Sequence, residues 1–196
     1  MLRLIGSLKT RAFRVAWMLE ELGLEYDHVP AAPGSDEARA ARAPGKVPVL
    51  EVDGQIIWDS VAITTYLADR AAKFTHPAGS VERARQDAMT CQILDEIEAP
   101  LWMAARHSFI LPEKLRVPEV KDSLRKEFAD SVARLDAEVS GDYLAGDTPS
   151  VPDFLLTHCL NWAKNAKFEG EAPSLQSVAA RMRERPAYQK LIQLRG

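Results

Sequence analysis

A proline-led β-hairpin is the sequence feature that most restricts how this chain folds. The segment GKVPVLEVDGQIIWDS (45–60) holds two strand-forming runs, Val49–Val52 and Gln55–Trp58, separated by Asp-Gly. Asp-Gly between apolar runs is a strong signal for a tight hairpin turn. Pro48 cannot donate a hydrogen bond to a sheet, so it belongs at a strand start, an edge or a bulge. The segment therefore predicts an antiparallel hairpin whose first strand begins after the proline.

The rest of the first seventy residues alternates between strand and helix. Apolar residues recur at helical spacing from Ala12 to Leu22, and Gly23 follows as a C-cap. The order predicted is βαβα followed by ββα. The predicted elements are strands at 2–5 and 24–29, helices at 12–22 and 35–42, the hairpin at 49–58 and a helix from residue 59.

After residue 73 the sequence predicts helices alone. The segment 74–80 loses periodicity and carries Pro and Gly, which is typical of a linker. The spacing Ser150-x-x-Asp153 is a capping-box pattern and marks a helix start. We therefore expect an α/β domain at 1–73, a linker at 74–80 and an all-helical domain at 81–196. The predicted helices are 81 to about 107 with a bend at Pro100, then 118–139, 150–164, 173–183 and 186–194.

Composition argues against several function classes. The chain has 196 residues, of which 46% are apolar and 27% charged, as in an ordinary globular protein. A net charge of −3 without a long Lys/Arg block predicts no binding to nucleic acid. No apolar run is long enough for a membrane span or a secretory signal, so we expect a cytoplasmic location and no membrane partner. Two isolated cysteines and four histidines without ligand spacing predict no metal site.

The start of the helix after the hairpin admits two interpretations. Asp59 is a favoured N-cap residue and would satisfy the first backbone amides of that helix. Alternatively, the N–H and hydroxyl of Ser60 bind a carboxylate while Asp59 accepts from an ammonium group. Taken alone, the capping interpretation is favoured because caps are common. In the same way, base rates favour a trans bond before Pro48, whereas a cis bond would leave Val47 able to pair with a peptide-like ligand.

The loop before the first helix is a second candidate site. Ser7 to Thr10 open onto a helix whose positive dipole end favours an anion. A thiolate held there by a hydroxyl would have a lowered pKa, as cysteine thiols do at helix N-termini. The alternative is that Ser7 or Thr10 only caps backbone amides. Arg11 and Arg14 either raise the local positive potential or belong to a solvated face.

Taken together, the order and spacing of these segments resemble the cytosolic glutathione transferase family, and the likeness covers nearly the whole chain. It implies a thioredoxin-like, glutathione-binding domain followed by an all-helical domain. Ile5 stands where tyrosine-type members carry Tyr, so the chain resembles a bacterial serine/threonine-type member. The segments that carry the likeness are SLKTRAFRVAWMLEELGLEY (7–26), APGKVPVLEVDG (43–54), WDSVAITTYLADR (58–70) and ERPAYQKL (184–191).

The resemblance assigns roles to the proline loop and to the helix start after the hairpin. The backbone of Val47, ahead of a cis Pro48, pairs with the cysteinyl backbone of glutathione. Asp59 and Ser60 match the acid-serine pair that holds the γ-glutamyl end, although Asp is one methylene shorter than the usual Glu. Lys46 lies where a side chain approaches the glycyl carboxylate.

For thiol activation the resemblance points to Thr10, with Ser7 as the second choice and Arg11 as a helper. No cysteine stands there, which argues against the thiol-transferase branch. The implied reaction is attack of the glutathione thiolate on a small hydrophobic electrophile, as in detoxification. Its pocket is expected between the domains, and the predicted lining residues are Trp102, Met103, His107 and Phe109.

Alternatives remain at this stage. Trp102 and Met103 are equally compatible with a helical core, and His107 with a helix end. The same thiolate would serve an isomerase, peroxidase or reductase. A non-catalytic relative that binds glutathione or a protein partner is compatible with the departures at Ile5, Asp59 and Ala43. The resemblance further implies a homodimer.

Overall fold

Four short strands form one mixed sheet in the order β2-β1-β3-β4. The strands are β1 (Leu2–Ile5), β2 (Asp27–Val29), β3 (Val49–Val52) and β4 (Gln55–Trp58). β1 runs parallel to β2 and antiparallel to β3, and β3 pairs with β4 across the Asp-Gly turn. Both turn residues have positive φ, 49° at Asp53 and 83° at Gly54. A two-residue turn with positive φ at both positions matches the right-handed twist of the strands that it joins. The predicted hairpin is confirmed.

Three helices accompany this sheet: α1 (Ala12–Glu21), α2 (Asp36–Ala41) and α3 (Ser60–Ala71). Every residue of α1 from Ala12 to Leu19 is buried. The predicted strand at 24–29 forms only over its last three residues. The reason is local, since the N–H of Leu24 bonds to the carbonyl of Leu19 and so completes the end of α1.

The remainder of the chain is helical, as predicted. The helices are α4 (Val81–Gln92), α5 (Ala99–Ala105), α6 (Val120–Glu138), α7 (Val151–Ala166), α8 (Pro173–Arg183) and α9 (Pro186–Arg195). π-helical turns at Ile93–Glu98 and Arg106–Ile110 flank α5. Proline has no backbone N–H, so Pro100 cannot donate a helical hydrogen bond to the preceding turn. The irregularity expected at Pro100 is the π-helical turn Ile93–Glu98, directly before α5.

The capping box at the start of α7 is confirmed and lies in the interior. The carboxylate of Asp153 accepts from the N–H of Leu144 at 2.9 Å and from the N–H of Ser150 at 2.8 Å. The Ser150 hydroxyl is 3.1 Å away and donates to the same group. Burial raises the pKa of Asp153, while these hydrogen bonds act in the opposite direction. The cap therefore ties the 144–150 loop to the helix.

The structure is a computed structural model that describes residues 1–195, and its contacts group the chain into two units. The first unit joins Met1–Pro77 with the chain from Arg183 onward, and the second is Ala78–Met182. The predicted order of elements and the fold class are confirmed. The predicted boundaries at 73 and 81 stay predictions, while α9 packs on α1 of the first unit. Among the described residues, no helix is both long and apolar enough to cross a membrane.

Candidate functional site

Three segments of the first unit meet around Gly6, directly after β1. A Cβ atom on Gly6 would lie 2.8 Å from the Cβ of Ala12 and 3.1 Å from the Cβ of Val47. Its φ of +145° is also one that L residues rarely adopt. His28 on β2 holds the loop through Nε2, which donates to the carbonyl of Gly6 at 2.8 Å. The loop after β1, the start of α1 and the proline loop before β3 are therefore in van der Waals contact.

The proline loop presents a short length of backbone beyond the sheet. The last β1–β3 pair is Ile5 opposite Val49, so Val47 lies outside the ladder. Val47 is half-buried, Pro48 is buried and Lys46 is exposed. The peptide bonds before Pro44 and Pro48 are both cis. The sequence-predicted backbone position is thus next to the loop around Gly6.

The side-chain hydroxyls of Thr10 and Ser7, before α1, differ in whether their proton is already donated in a hydrogen bond. Thr10 Oγ1 donates to the carbonyl of Ser7 at 2.7 Å and accepts from the N–H of Ala12 at 3.2 Å. Thr10 therefore caps the helix, which was one of the alternatives left open by the sequence. Ser7 Oγ accepts from the N–H of Lys9 at 3.2 Å. Within residues 1–195 the Ser7 hydroxyl makes no other hydrogen bond, so its proton remains available.

Arg11 stands directly at the N-terminus of α1. It occupies the N-cap position with φ −59° and ψ −12°, and its side chain makes no capping bond. The residue is half-buried, and the neighbouring Lys9 is exposed. Both flank Thr10 in the sequence, and a basic residue there carries the same sign of charge as the helix end.

Asp59 caps α3 in a strained backbone conformation. Its Oδ1 accepts from the N–H of Val61 at 2.8 Å and from that of Ala62 at 3.2 Å. The capping interpretation is confirmed. Its φ of 72° is unusual for a residue other than glycine, and such conformations cost about 1–3 kcal/mol. The residue is exposed, and both capping bonds use Oδ1. Oδ2 therefore takes no part in the cap.

Ser60 is buried beside Arg14, for which the sequence allowed two interpretations, a local positive charge or a solvated face. Ser60 is 2% exposed and Arg14, on α1, is also 2% exposed. Arg14 Nη1 donates to Ser60 Oγ at 3.1 Å. The sequence signal was present, because Arg14 falls within the apolar run that forms α1, but its partner is 46 residues away. The structure thus links the starts of α1 and α3 through one buried hydrogen bond.

The four predicted pocket residues lie in the second unit. Trp102 and Met103 are on α5 and are half-buried, so neither belongs to the fully buried core. His107 and Phe109 are in the second π-helical turn. His107 Nδ1 accepts from the N–H of Val117 at 3.0 Å, a role different from the helix-end interaction considered above. Phe109 is 67% exposed.

Metal-binding side chains and cysteines are two further kinds of group at which chemistry can occur. Within residues 1–195, no group of three or more His, Cys, Asp and Glu side chains is arranged to hold a metal ion. Cys91 is exposed, and Cys159 is buried with its thiol 3.7 Å from Glu98 Oε2. The candidate site consists of the hydroxyls before α1, the proline loop and the start of α3.

Two family models match most of the chain. The model described as Glutathione S-transferase, N-terminal domain matches residues 11–75, and Glutathione S-transferase, C-terminal domain matches residues 95–186. A search of curated protein sequences found no match.

Solved structures show the same fold over nearly the whole chain. BphK, a bacterial GST solved as a ternary complex, is 24% identical, with 99% of each chain covered and a TM-score of 0.87. The theta class glutathione S-transferase of Xanthomonas axonopodis pv. citri, solved with glutathione bound, is 27% identical over 96% of this chain and 95% of that chain, with a TM-score of 0.77. The β-etherase LigF of Sphingobium sp. strain SYK-6 is 21% identical over 98% of this chain and 99% of its own, with a TM-score of 0.84.

Proposed function

Because this chain belongs to the glutathione S-transferase family, we propose that it binds glutathione in its first unit and activates the thiol for attack on small hydrophobic electrophiles. The matched domains and the similar theta class structure with glutathione bound support glutathione as the ligand. The observation that carries the proposal is the contact around Gly6. It brings Val47 next to the start of α1, so a peptide along Val47 has its thiol near that helix end.

The tripeptide pairs with Val47 as an added strand would. Val47 lies beyond the last β1–β3 pair, and in this proposal its N–H and C=O pair with the extended ligand. Lys46 is exposed beside them and neutralises the glycyl carboxylate. Backbone pairing fixes the direction of the ligand, and the charge at one end fixes its register.

The γ-glutamyl end lies at the start of α3. The N–H and hydroxyl of Ser60 bind the α-carboxylate, where the positive end of the helix dipole also favours an anion. Asp59 uses Oδ1 for the cap and Oδ2 for the ammonium group. The capping and binding roles considered from the sequence are then compatible, because they use different oxygens.

The thiol is activated at the start of α1. A free cysteine thiol has a pKa of about 8.5, so only a few per cent is ionised at neutral pH. Lowering this pKa by about two units requires roughly 2.7 kcal/mol, which one charge-assisted hydrogen bond and a helix dipole supply together. Ser7 donates that bond because its proton is available, whereas Thr10 must first release the Ser7 carbonyl.

The thiolate attacks an electrophilic carbon and displaces its leaving group, while the thiol proton passes to solvent. The electrophile pocket with Trp102, Met103, His107 and Phe109 stays a prediction from the resemblance. Trp102 and Met103 are half-buried and Phe109 is exposed, which leaves apolar surface for a ligand. The homodimer and the cytoplasmic location stay predictions from the sequence and the resemblance.

Calorimetry with reduced glutathione tests the proposal. The wild-type protein is expected to bind, and Ser60→Ala is expected to weaken binding by about tenfold to a hundredfold, the value of a hydrogen bond to a charged group. Ser177→Ala is the matched control, because Ser177 is exposed on α8 and bonds only to its own helix. A wild-type protein that releases no heat with glutathione and is not retained on immobilised glutathione would contradict the proposal.

A further inference from the structure

Arg14 is a buried arginine with a defined contact at the candidate glutathione site. It is 2% exposed, lies inside the buried face of α1 and donates from Nη1 to the hydroxyl of Ser60 at 3.1 Å. Arginines are almost never buried to this extent without a specific partner. The contact therefore needs an explanation beyond packing.

The chemistry of the two groups dictates the direction of this hydrogen bond. A guanidinium has only donors, so Ser60 Oγ must be the acceptor. A hydroxyl has one proton, and once Arg14 occupies a lone pair, that proton is left to donate elsewhere. Thr64, one turn along α3, directs its own hydroxyl at the carbonyls of Ser60 at 2.9 Å and Val61 at 3.0 Å. These carbonyls are thus already accepting from Thr64.

We propose that Arg14 is a positioning residue that makes Ser60 a hydrogen-bond donor to the ligand carboxylate. This rests on the proposed function, which places the γ-glutamyl carboxylate at the start of α3. Arg14 does not touch the ligand; it holds Ser60 Oγ from the buried side, so the hydroxyl proton points away from the protein interior. A serine without this partner would rotate among staggered conformers and donate to the carboxylate in only a part of them.

Arginine suits this role better than lysine. Its planar fork keeps Nη1 in one place, and it stays charged at every accessible pH. A lysine at position 14 has a flexible ammonium that reaches Ser60 without the same constraint. We therefore expect Arg14→Lys to restore part of the binding that Arg14→Met loses.

A double-mutant cycle measured by glutathione calorimetry tests the proposal. Arg14→Met and Ser60→Ala are each expected to weaken binding by about tenfold or more. If Arg14 acts through Ser60, the double variant binds within about twofold of Ser60→Ala alone, because independent sites would instead multiply their effects. Arg3→Met is the control: Arg3 lies on β1, and its half-exposed side chain faces Asp27 and Glu51.

The pKa of the bound thiol separates positioning from a general disturbance of α1. The same helix carries the activating end of the site, so a misplaced α1 would also shift the thiolate titration. We expect Arg14→Met to raise the Kd and KM for glutathione while the thiolate titration and kcat stay at their wild-type values. Thiolate absorbance against pH measures this titration, and a parallel shift in it would overturn the proposal.

Each outcome separates the two proposals. Wild-type protein that does not bind glutathione overturns the proposed function, and the role of Arg14 with it. Binding by the wild type with multiplicative losses in the cycle overturns the role of Arg14 alone. If Arg14→Met does not fold, judged by near-ultraviolet circular dichroism, Arg14→Lys and Arg14→Lys/Ser60→Ala provide the same cycle.

Discussion

At the scale of single residues, the proposed thiol activation depends on which of two hydroxyl protons is available. Thr10 donates its proton to the Ser7 carbonyl, while Ser7 accepts from Lys9 and keeps its own proton. Donation to a thiolate therefore costs Thr10 an existing hydrogen bond, about 0.5–1.5 kcal/mol net, and costs Ser7 none. Ser7 is the better donor on this ground, although spacing and the resemblance favoured Thr10.

Substituting the two hydroxyls separately distinguishes them. Ser7→Ala is expected to raise the pKa of the bound glutathione thiol by about one unit or more towards its free value near 8.5. The rate kcat/KM at neutral pH should fall about tenfold, in proportion to the lost thiolate. Thr10→Val should shift the pKa less, while it lowers stability by removing the Ala12 cap. A pKa shift in Thr10→Val alone would instead make Thr10 the activating group.

Asp59 caps α3, and one substitution separates this structural role from the proposed ligand role. Asp59→Asn keeps an oxygen for the capping bonds to Val61 and Ala62, and Asn tolerates positive φ. The free energy of unfolding should therefore stay within about 0.5 kcal/mol of wild type. Glutathione binding should weaken about tenfold because the charge opposite the ammonium is lost. Unchanged affinity in this variant would leave Asp59 as a cap only.

Asp59→Ala serves as the comparison. It removes the charge and the cap together, so it should weaken binding and also lower the unfolding free energy by about 1 kcal/mol. Urea denaturation measures the second effect without glutathione present.

The sequence predicted roles for Asp59, Ser60 and Val47 because each belongs to a short local pattern. Arg14 and Gly6 were not assigned, since their importance depends on contacts between distant segments. Gly6 is restricted by side chains on α1 and the proline loop, and Arg14 by a serine on α3. Local periodicity predicts which face of a helix is buried, but not which polar group a side chain on that face contacts.

At the scale of elements, the cap of α7 holds this largely buried helix to the loop before it. Asp153 is fully buried, and its oxygens serve the N–H groups of Leu144 and Ser150. Asp153→Ala leaves both donors without this acceptor. An unsatisfied buried donor costs about 1–3 kcal/mol, so the unfolding free energy should fall by about 3 kcal/mol.

Ser35→Ala is the matched control for this cap. Ser35 caps the short helix α2 through a single bond of 3.3 Å to the N–H of Ala38. Its loss should cost about 1 kcal/mol or less. Equal effects of Asp153→Ala and Ser35→Ala in urea denaturation would contradict the assigned importance of the buried cap.

Element boundaries were predictable where a capping residue or a proline marks them. α8 begins and ends at the predicted residues, and α7 begins directly after Ser150. The strand at 24–29 was overestimated, because apolar alternation does not show that Leu24 bonds back to α1. The π-helical turns around α5 were not predicted, since they change the hydrogen-bond ladder without changing hydrophobic periodicity.

At the scale of the whole molecule, the first unit is built from both ends of the chain. Tyr188 of α9 packs edge to face on Phe13 and Trp17 of α1, with ring centroids 5.4 and 4.8 Å apart. The sequence assigned α9 to the helical domain from chain order alone. Order along the chain does not reveal that α9 packs on α1. This packing places the last helix against the helix whose start carries the candidate thiol site.

The ion pair between Glu21, at the end of α1, and Arg185, directly before α9, is expected to contribute measurably to stability. Glu21 accepts two hydrogen bonds from Arg185, each of 2.7 Å, and a third from Trp17 Nε1 at 3.0 Å. The Glu21 side chain is only 7% exposed, so its charge is largely removed from water. Glu21→Gln keeps an oxygen for Trp17 but leaves Arg185 without its anion, and should lower the unfolding free energy by about 2 kcal/mol.

The exposed pair Arg125–Asp122 on α6 is the control for that substitution. Asp122 is 90% exposed, so Asp122→Asn should change the unfolding free energy by less than about 0.5 kcal/mol. Because the pair at Glu21 is shielded from solvent, its effect should also persist at high salt, where an exposed pair is screened. If Glu21→Gln is no more destabilising than Asp122→Asn in urea denaturation, the Glu21–Arg185 pair does not contribute to stability as proposed.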